Sequence, residues 1–130
     1  MADGVIDAGI AIRWTMRRPG GDRALDRLYE ASREGRVRLY LSTVNAAEVL
    51  RITAAATRSL GTDVLEFLKA AGVRLHEPGE AVARRVAKLG TSLADGFAVA
   101  TAQELGARLH TTDRELVRQI KGARLSVTMY

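Results

Sequence analysis

The fold is decided at residues 37–60, which read VRLYLSTVNAAEVLRITAAATRSL. An apolar run covers residues 37–41, and a stretch with helical spacing begins near Asn45 and extends to Leu60. A continuously apolar strand that leads into a helix is the repeating unit of a parallel sheet covered on both faces.

The same alternation recurs along the whole chain. Four further apolar runs predict strands at residues 5–6, 73–75, 108–110 and 125–128. Helical stretches are predicted around residues 10–14 and at 22–32, 63–71, 80–89, 93–105 and 113–120, with a loop at 17–21 and a break at Gly61. We therefore expect one three-layer α/β domain over residues 1–130, with about five mainly parallel strands and about seven helices.

Composition excludes several classes of protein. The 130 residues contain no cysteine, so disulfides, thiolate zinc sites and cysteine nucleophiles are excluded. No apolar run is long enough to span a bilayer and the N-terminus has no secretion signal, so we expect a cytoplasmic protein without a membrane partner.

The net charge of +5 comes from an excess of basic residues, of which seventeen are Arg and three are Lys. A GC-rich coding sequence is an alternative origin of the Arg bias. The charge itself favours a polyanionic partner whatever its origin, and the guanidinium group suits phosphate.

Common ligand motifs are missing where a parallel sheet would carry them. The first predicted strand is followed by Asp7, Ala8 and Gly9, which match neither a dinucleotide-binding glycine motif nor the acidic pairs of phosphotransfer proteins, and no P-loop occurs. His76 and His110 lie in predicted strands, where we expect them to pack as half-buried side chains rather than to act as ligands.

Acidic side chains do occur where ligands bind in such sheets. Asp7 and Asp113 end predicted strands, Glu48 lies one turn into the helix after the second strand, and Asp95 opens an uncharged helical stretch. Ligands of open parallel sheets bind beyond the carboxyl ends of the strands, so these acids are expected to converge on one rim.

Helix capping is the alternative explanation for three of these acids. Glu48 follows Asn45, and Asp95 follows Ser92, with the spacing of a capping box, and Asp113 could be an N-cap. Asp7 is harder to explain in this way, because it is an unpaired acid between apolar residues and is costly to bury.

A cluster of carboxylates needs a cation. Two carboxylates ~5 Å apart repel by on the order of 3 kcal/mol at an effective dielectric near 20. Hard oxygen ligands without His or Cys select Mg²⁺ or Mn²⁺, which can activate water for phosphodiester hydrolysis. Together with the positive net charge, this indicates a nucleic-acid backbone as the substrate.

Five segments around these acids carry recurring motifs: VIDA at 5–8, AIRW at 11–14 followed by Pro19, STVNAAEV at 42–49, SLADGFAVATA at 92–102 and LHTTDREL at 109–116. In this order and spacing they resemble the PIN-domain family, and within it the VapC-type ribonuclease toxins of toxin–antitoxin pairs. The resemblance covers nearly the whole chain.

The resemblance implies roles for individual residues. Asp7, Glu48, Asp95 and Asp113 match the four acids that bind divalent metal for RNA cleavage, with Asp7 and Asp95 as the principal Mg²⁺ ligands. Thr111 matches a hydroxyl residue that supports the site. It further implies a homodimer and a cognate antitoxin as partners.

Three departures from the family pattern stand out. Gly9 replaces a usual Ser and removes a hydroxyl, and Gly96 replaces a usual Ala and should weaken its helix by ~1 kcal/mol. Arg17 and Arg18 stand where acids are common. No departure removes a predicted metal ligand.

The sequence thus predicts a Mg²⁺- or Mn²⁺-dependent endoribonuclease toxin that an antitoxin holds inactive. One alternative is a PIN nuclease for RNA maturation that has no antitoxin, and another is a non-catalytic PIN-like module that binds RNA or protein. For Trp14, core packing and a role at a dimer surface remain open.

Overall fold

The computed structural model describes residues 2–16, 22–60 and 63–130, apart from the side chains of residues 57, 59 and 60. Its strands are β1 (Ala2–Ile6), β2 (Val37–Ser42), β3 (Val73–His76), β4 (Arg108–Thr111) and β5 (Val127–Met129). Its helices are α1 (Ala8–Met16), α2 (Arg23–Arg33), α3 (Thr43–Leu60), α4 (Val64–Ala70), α5 (Glu80–Ala87), α6 (Leu93–Leu105) and α7 (Arg114–Gln119). None of these helices is long and apolar enough to cross a membrane. The predicted α/β class is confirmed, as are the approximate numbers of strands and helices.

The strands form one sheet in the order β3-β2-β1-β4-β5, and every neighbouring pair is parallel. In the register, Val5 of β1 pairs with Tyr40 of β2, and Ile6 pairs with His110 of β4. Strand β1 is therefore central, and the carboxyl ends of β1, β2 and β4 are neighbours at one edge.

Alternate residues of the sheet contribute to two different cores. Ile6 and Leu39 pack in one cluster with residues of α1, α2, α3 and α4. Val5 and Leu109 pack in a second cluster with residues of α6 and α7. Because successive side chains of a strand point to opposite faces, the two clusters lie on opposite sides of the sheet and give three layers.

Several element boundaries differ from their predicted positions. Helix α3 begins at Thr43, directly after β2, whereas its start was predicted near Asn45. The early start is possible because the Ser42 hydroxyl accepts a hydrogen bond from the Val44 N–H at 3.3 Å and supports the first turn. The predicted loop at 17–21 and the break at Gly61 lie outside the described residues.

Trp14 belongs to the core rather than to the surface. Its side chain is buried and packs edge-on against Tyr29, with the ring centroids 5.6 Å apart. Its indole Nε1 donates a hydrogen bond to the carbonyl of Leu25 at 3.1 Å. The structure therefore selects core packing for Trp14, since this side chain joins α1 to α2.

Candidate active site

Asp7 lies between the end of β1 and the start of α1. Its Oδ1 accepts a hydrogen bond from the N–H of Ile10 at 3.0 Å, and its Oδ2 accepts one from the Thr111 hydroxyl. The first contact is an N-cap of α1, so Asp7, which we expected to be harder to explain by capping than the other acids, also caps a helix. The side chain is buried, with 5% of its surface exposed.

Burial raises the pKa of Asp7 above its ordinary value, because it removes the carboxylate from water. The hydrogen bonds from Thr111 and Ile10 oppose this rise by stabilising the charged form. The charges of Asp95 and Asp113 add to the rise. Three of the four predicted acids are thus electrostatically coupled.

Thr111 forms hydrogen bonds with two of the acidic residues. It is the last residue of β4 and is fully buried. Its hydroxyl donates to Asp7 and accepts a hydrogen bond from the N–H of Asp113 at 3.0 Å. One hydroxyl group therefore orients the Asp7 carboxylate and the backbone that leads into α7.

Asp113 is the N-cap of α7, as the capping alternative predicted. Its Oδ1 accepts a hydrogen bond from the N–H of Leu116 at 3.1 Å. The side chain is only half-buried and reaches the same cleft as Asp7. Capping and a position in the site are therefore compatible, since the cap occupies only one carboxylate oxygen.

Asp95 lies in the first turn of α6. Ser92 is the N-cap of this helix, and its hydroxyl accepts a hydrogen bond from the N–H of Asp95 at 3.3 Å. The capping interaction thus involves the backbone of Asp95, and its half-buried carboxylate lines the cleft.

Glu48 reaches the cleft from α3, but the predicted capping box with Asn45 does not form. Asn45 lies inside the helix, because α3 begins two residues earlier, and it is 1% exposed. Its Nδ2 instead donates to the carbonyl of Ala94 at 2.9 Å, which ties the first turn of α3 to the first turn of α6. The sequence analysis missed this contact, for which the only signal was a polar residue one turn before Glu48.

These side chains surround one cleft of about 620 Å³ at the carboxyl edge of the sheet. Asp7, Glu48, Asp95 and Asp113 all line it, and Thr111 lies buried beneath Asp7. The remaining lining residues are Ala8, Gly9, Ile12, Thr112, Arg114, Glu115 and Arg118. The expected convergence of the four acids on one rim is what the structure contains.

The cleft provides oxygen ligands but no preformed cage. Within residues 2–16, 22–60 and 63–130, no group of three or more His, Asp or Glu side chains is arranged to hold a metal ion. Mg²⁺ does not require such a cage, because it keeps several waters and binds through one or two carboxylates together with substrate phosphates. The donor set therefore fits Mg²⁺ or Mn²⁺ held partly by water and substrate.

Both glycines that depart from the family pattern lie at close contacts. A Cβ at Gly9 would lie 3.0 Å from the Thr112 hydroxyl oxygen and 3.4 Å from Asp7 Oδ1. A Cβ at Gly96 would lie 3.0 Å from Val86 Cγ1, on the neighbouring helix α5. The expectation that Gly96 only weakens α6 is therefore incomplete, since this glycine also allows α5 to approach.

Comparison with known proteins settles the family. The sequence model of the PIN-domain family matches residues 4–122, and this range includes every residue that lines the cleft. The chain belongs to the PIN-domain family. PIN domains are nucleases, so the acidic cleft of this PIN domain lies in a fold associated with cleavage of nucleic acid.

Several solved structures share this fold. A toxin–antitoxin complex from Klebsiella pneumoniae is 18% identical with a TM-score of 0.68, and the match covers 98% of each chain. VapBC2 from Rickettsia felis, bound to a DNA fragment from its promoter, is 11% identical with a TM-score of 0.73 over 98% of each chain. FitAcB from Neisseria gonorrhoeae is 20% identical with a TM-score of 0.68 over 95% of each chain. No relative is found among the curated proteins.

Proposed function

We propose that this PIN domain is a divalent-metal-dependent endoribonuclease that acts as the toxin of a toxin–antitoxin pair. The observation that carries the proposal is the convergence of Asp7, Glu48, Asp95 and Asp113 on one cleft of a PIN fold. The similarity to chains from toxin–antitoxin complexes supports the toxin assignment.

The electrostatics of Asp7 support a cation in the cleft. Its pKa is raised by burial and by two neighbouring acids, so its charged form is less favourable than in water and would be stabilised by a bound cation. A bound Mg²⁺ or Mn²⁺ would supply that charge together with a water activated for attack on a phosphodiester.

Residues of the chain would bind the ion and orient the water. Asp7 and Asp95 would hold the ion, and Thr111 keeps the Asp7 carboxylate in one orientation through its hydrogen bond. Glu48 and Asp113 would orient water, because both line the cleft on elements separate from the two principal ligands.

Cleavage of labelled RNA tests the proposal. We expect hydrolysis in Mg²⁺ or Mn²⁺, no hydrolysis in EDTA, and loss of activity in Asp95→Asn. Glu66→Gln is the matched control, because Glu66 is an exposed helical acid that does not line the cleft. Undiminished cleavage after thorough chelation would refute the metal-dependent mechanism.

The proposal includes a cognate antitoxin and a homodimer in the cytoplasm. Growth arrest on expression of the chain, relieved by co-expression of a small reading frame encoded beside it, would support the toxin over an RNA-maturation nuclease. Ile52 on α3 and Leu93 at the start of α6 are the two most exposed large apolar side chains among the described residues, and a dimer would have to cover at least one of them. Light scattering should give a dimer mass at tens of micromolar, and a monomer mass there counts against the dimer.

A further inference from the structure

The cleft has one basic wall, and α7 supplies it. Arg114 and Arg118 are the only cationic side chains among the described residues that line the cleft. The same cleft is lined by five carboxylates, which are those of Asp7, Glu48, Asp95, Asp113 and Glu115. A polyanion approaching such a cleft is repelled by most of its surface, so the wall formed by α7 is where phosphate can be held.

The two arginines differ in their partners. Arg118 Nη1 lies 3.1 Å from Glu115 Oε2, and both side chains are largely exposed. Within residues 2–16, 22–60 and 63–130, Arg114 makes no ion pair. Residues four apart share one face of a helix, so Arg114 and Arg118 extend from the same face of α7.

We infer that Arg114 and Arg118 bind the RNA phosphates that flank the cleaved bond, and that Glu115 competes with RNA for Arg118. This inference rests on the proposed function and assigns the substrate contacts of the same cleft. Guanidinium groups bind phosphate through two parallel hydrogen bonds. An exposed ion pair contributes little to stability, so Arg118 can exchange Glu115 for phosphate at small cost.

Helix α5 provides a matched control pair. Arg84 Nε lies 2.9 Å from Glu80 Oε2, and the Arg84 side chain is 74% exposed. Arg118 is also 74% exposed and is likewise paired with a Glu of its own helix. Arg84 and Glu80 do not line the cleft, so their variants change net charge by the same amount without touching the proposed contact.

Binding of a fluorescent single-stranded RNA in EDTA, followed by anisotropy from 50 to 200 mM salt, tests the inference. Arg114→Ala and Arg118→Ala should each reduce the slope of log Kd against log salt by about 0.7, the value for one lost phosphate contact on a single strand. Arg84→Ala should retain the parent slope. Equal slopes in the parent and in both cleft variants would overturn the inference.

Removal of the competing carboxylate of Glu115 should change RNA affinity in the opposite direction. Glu115→Gln should tighten RNA binding by about twofold, because it releases Arg118 from an exposed pair. This gain should disappear in the Glu115→Gln, Arg118→Ala double variant, and Glu80→Gln should not produce it. Weaker or unchanged binding by Glu115→Gln would refute the competition.

Other outcomes separate this inference from the proposed function. If the parent neither binds nor cleaves RNA, the proposed function fails. If the parent binds and cleaves RNA but the α7 variants keep the parent's slope of log Kd against log salt, only the inference about Arg114 and Arg118 is wrong. If the α7 variants lose binding to an antitoxin while their RNA slopes stay at the parent value, the wall serves a protein partner and the inference is overturned.

Discussion

Replacement of Asp7 by Asn in metal-free protein should stabilise the fold. Two like charges ~7 Å apart repel by about 2 kcal/mol at an effective dielectric of ~20, and by about 1 kcal/mol after physiological salt screening. Asp7 is coupled to Asp95 and Asp113, so removal of its charge should add about 1–2 kcal/mol to the free energy of unfolding.

The neutral amide should keep both hydrogen bonds of the carboxylate. Its Oδ1 still accepts from the N–H of Ile10, and the Thr111 hydroxyl rotates to accept from Nδ2 while it retains the bond from Asp113. The hydroxyl proton then gives up the Asp7 acceptor, which offsets part of the electrostatic gain. Asp7→Ala should lose the cap and leave the hydroxyl without its partner, which costs about 2–4 kcal/mol in all. The Ala variant should therefore unfold more easily than both the parent and the Asn variant.

The stability difference between the parent and Asp7→Asn should depend on pH. The pKa of Asp7 is raised in the folded state, so the folded protein binds more protons than the unfolded chain between the two pKa values. Stability of the parent therefore falls as pH rises from about 4, the unfolded value, through the folded value. The advantage of Asp7→Asn should be absent near pH 4 and fully present above the folded pKa of Asp7.

Thermal unfolding in EDTA at pH 7.5 measures the difference. A domain of this size shifts its Tm by about 4 °C per kcal/mol, so Asp7→Asn should melt about 4–8 °C above the parent. Addition of Mg²⁺ should raise the Tm of the parent and leave the Asn variant unchanged. A Tm for Asp7→Asn below the parent value in EDTA, or a gap that does not change with pH, would contradict the reasoning.

Three further substitutions test individual contacts. Thr111→Val should lower the free energy of unfolding by about 1–3 kcal/mol and reduce RNA cleavage, whereas Thr111→Ser should retain both, as measured by urea unfolding and by the RNA assay. Gly96→Ala should raise the free energy of unfolding by less than the ~1 kcal/mol expected from helix propensity, because the new methyl group contacts Val86. A gain of the full ~1 kcal/mol in urea unfolding would contradict the close contact. Trp14→Phe should cost about 0.5–1.5 kcal/mol by removing the indole hydrogen bond to the Leu25 carbonyl, and an unchanged Tm would contradict a contribution of that bond to stability.

The order of elements and the rim that carries the acids could be predicted from the sequence. Continuous apolar runs followed by helical spacing predict parallel strands, and parallel strands place their carboxyl ends at one edge. That reasoning placed the four acids at this edge but gave no distances between them. The four are Asp7, Glu48, Asp95 and Asp113. The limits of α6 were also predicted correctly, because Ser92 and Gly106 cap it at its two ends.

The contacts inside the site could not be predicted, because they join residues far apart in the chain. The bond from Asn45 to Ala94 depends on how closely α3 approaches α6. The narrow space at Gly96 depends on the position of α5. A capping pattern specifies only local geometry, which is why Asn45 matched a capping box and yet lies inside a helix.

The central position of β1 has a consequence for folding. Strand β1 is synthesised first, but its two neighbours are β2 and β4, and the Thr111 hydroxyl that holds Asp7 lies 104 residues further along the chain. Contacts at such separation form late, because a long loop must close before they stabilise anything. A nascent chain that has not yet produced β4 lacks both Thr111 and Asp113. The order of synthesis thus delays the assembly of the cleft until most of the domain has been made.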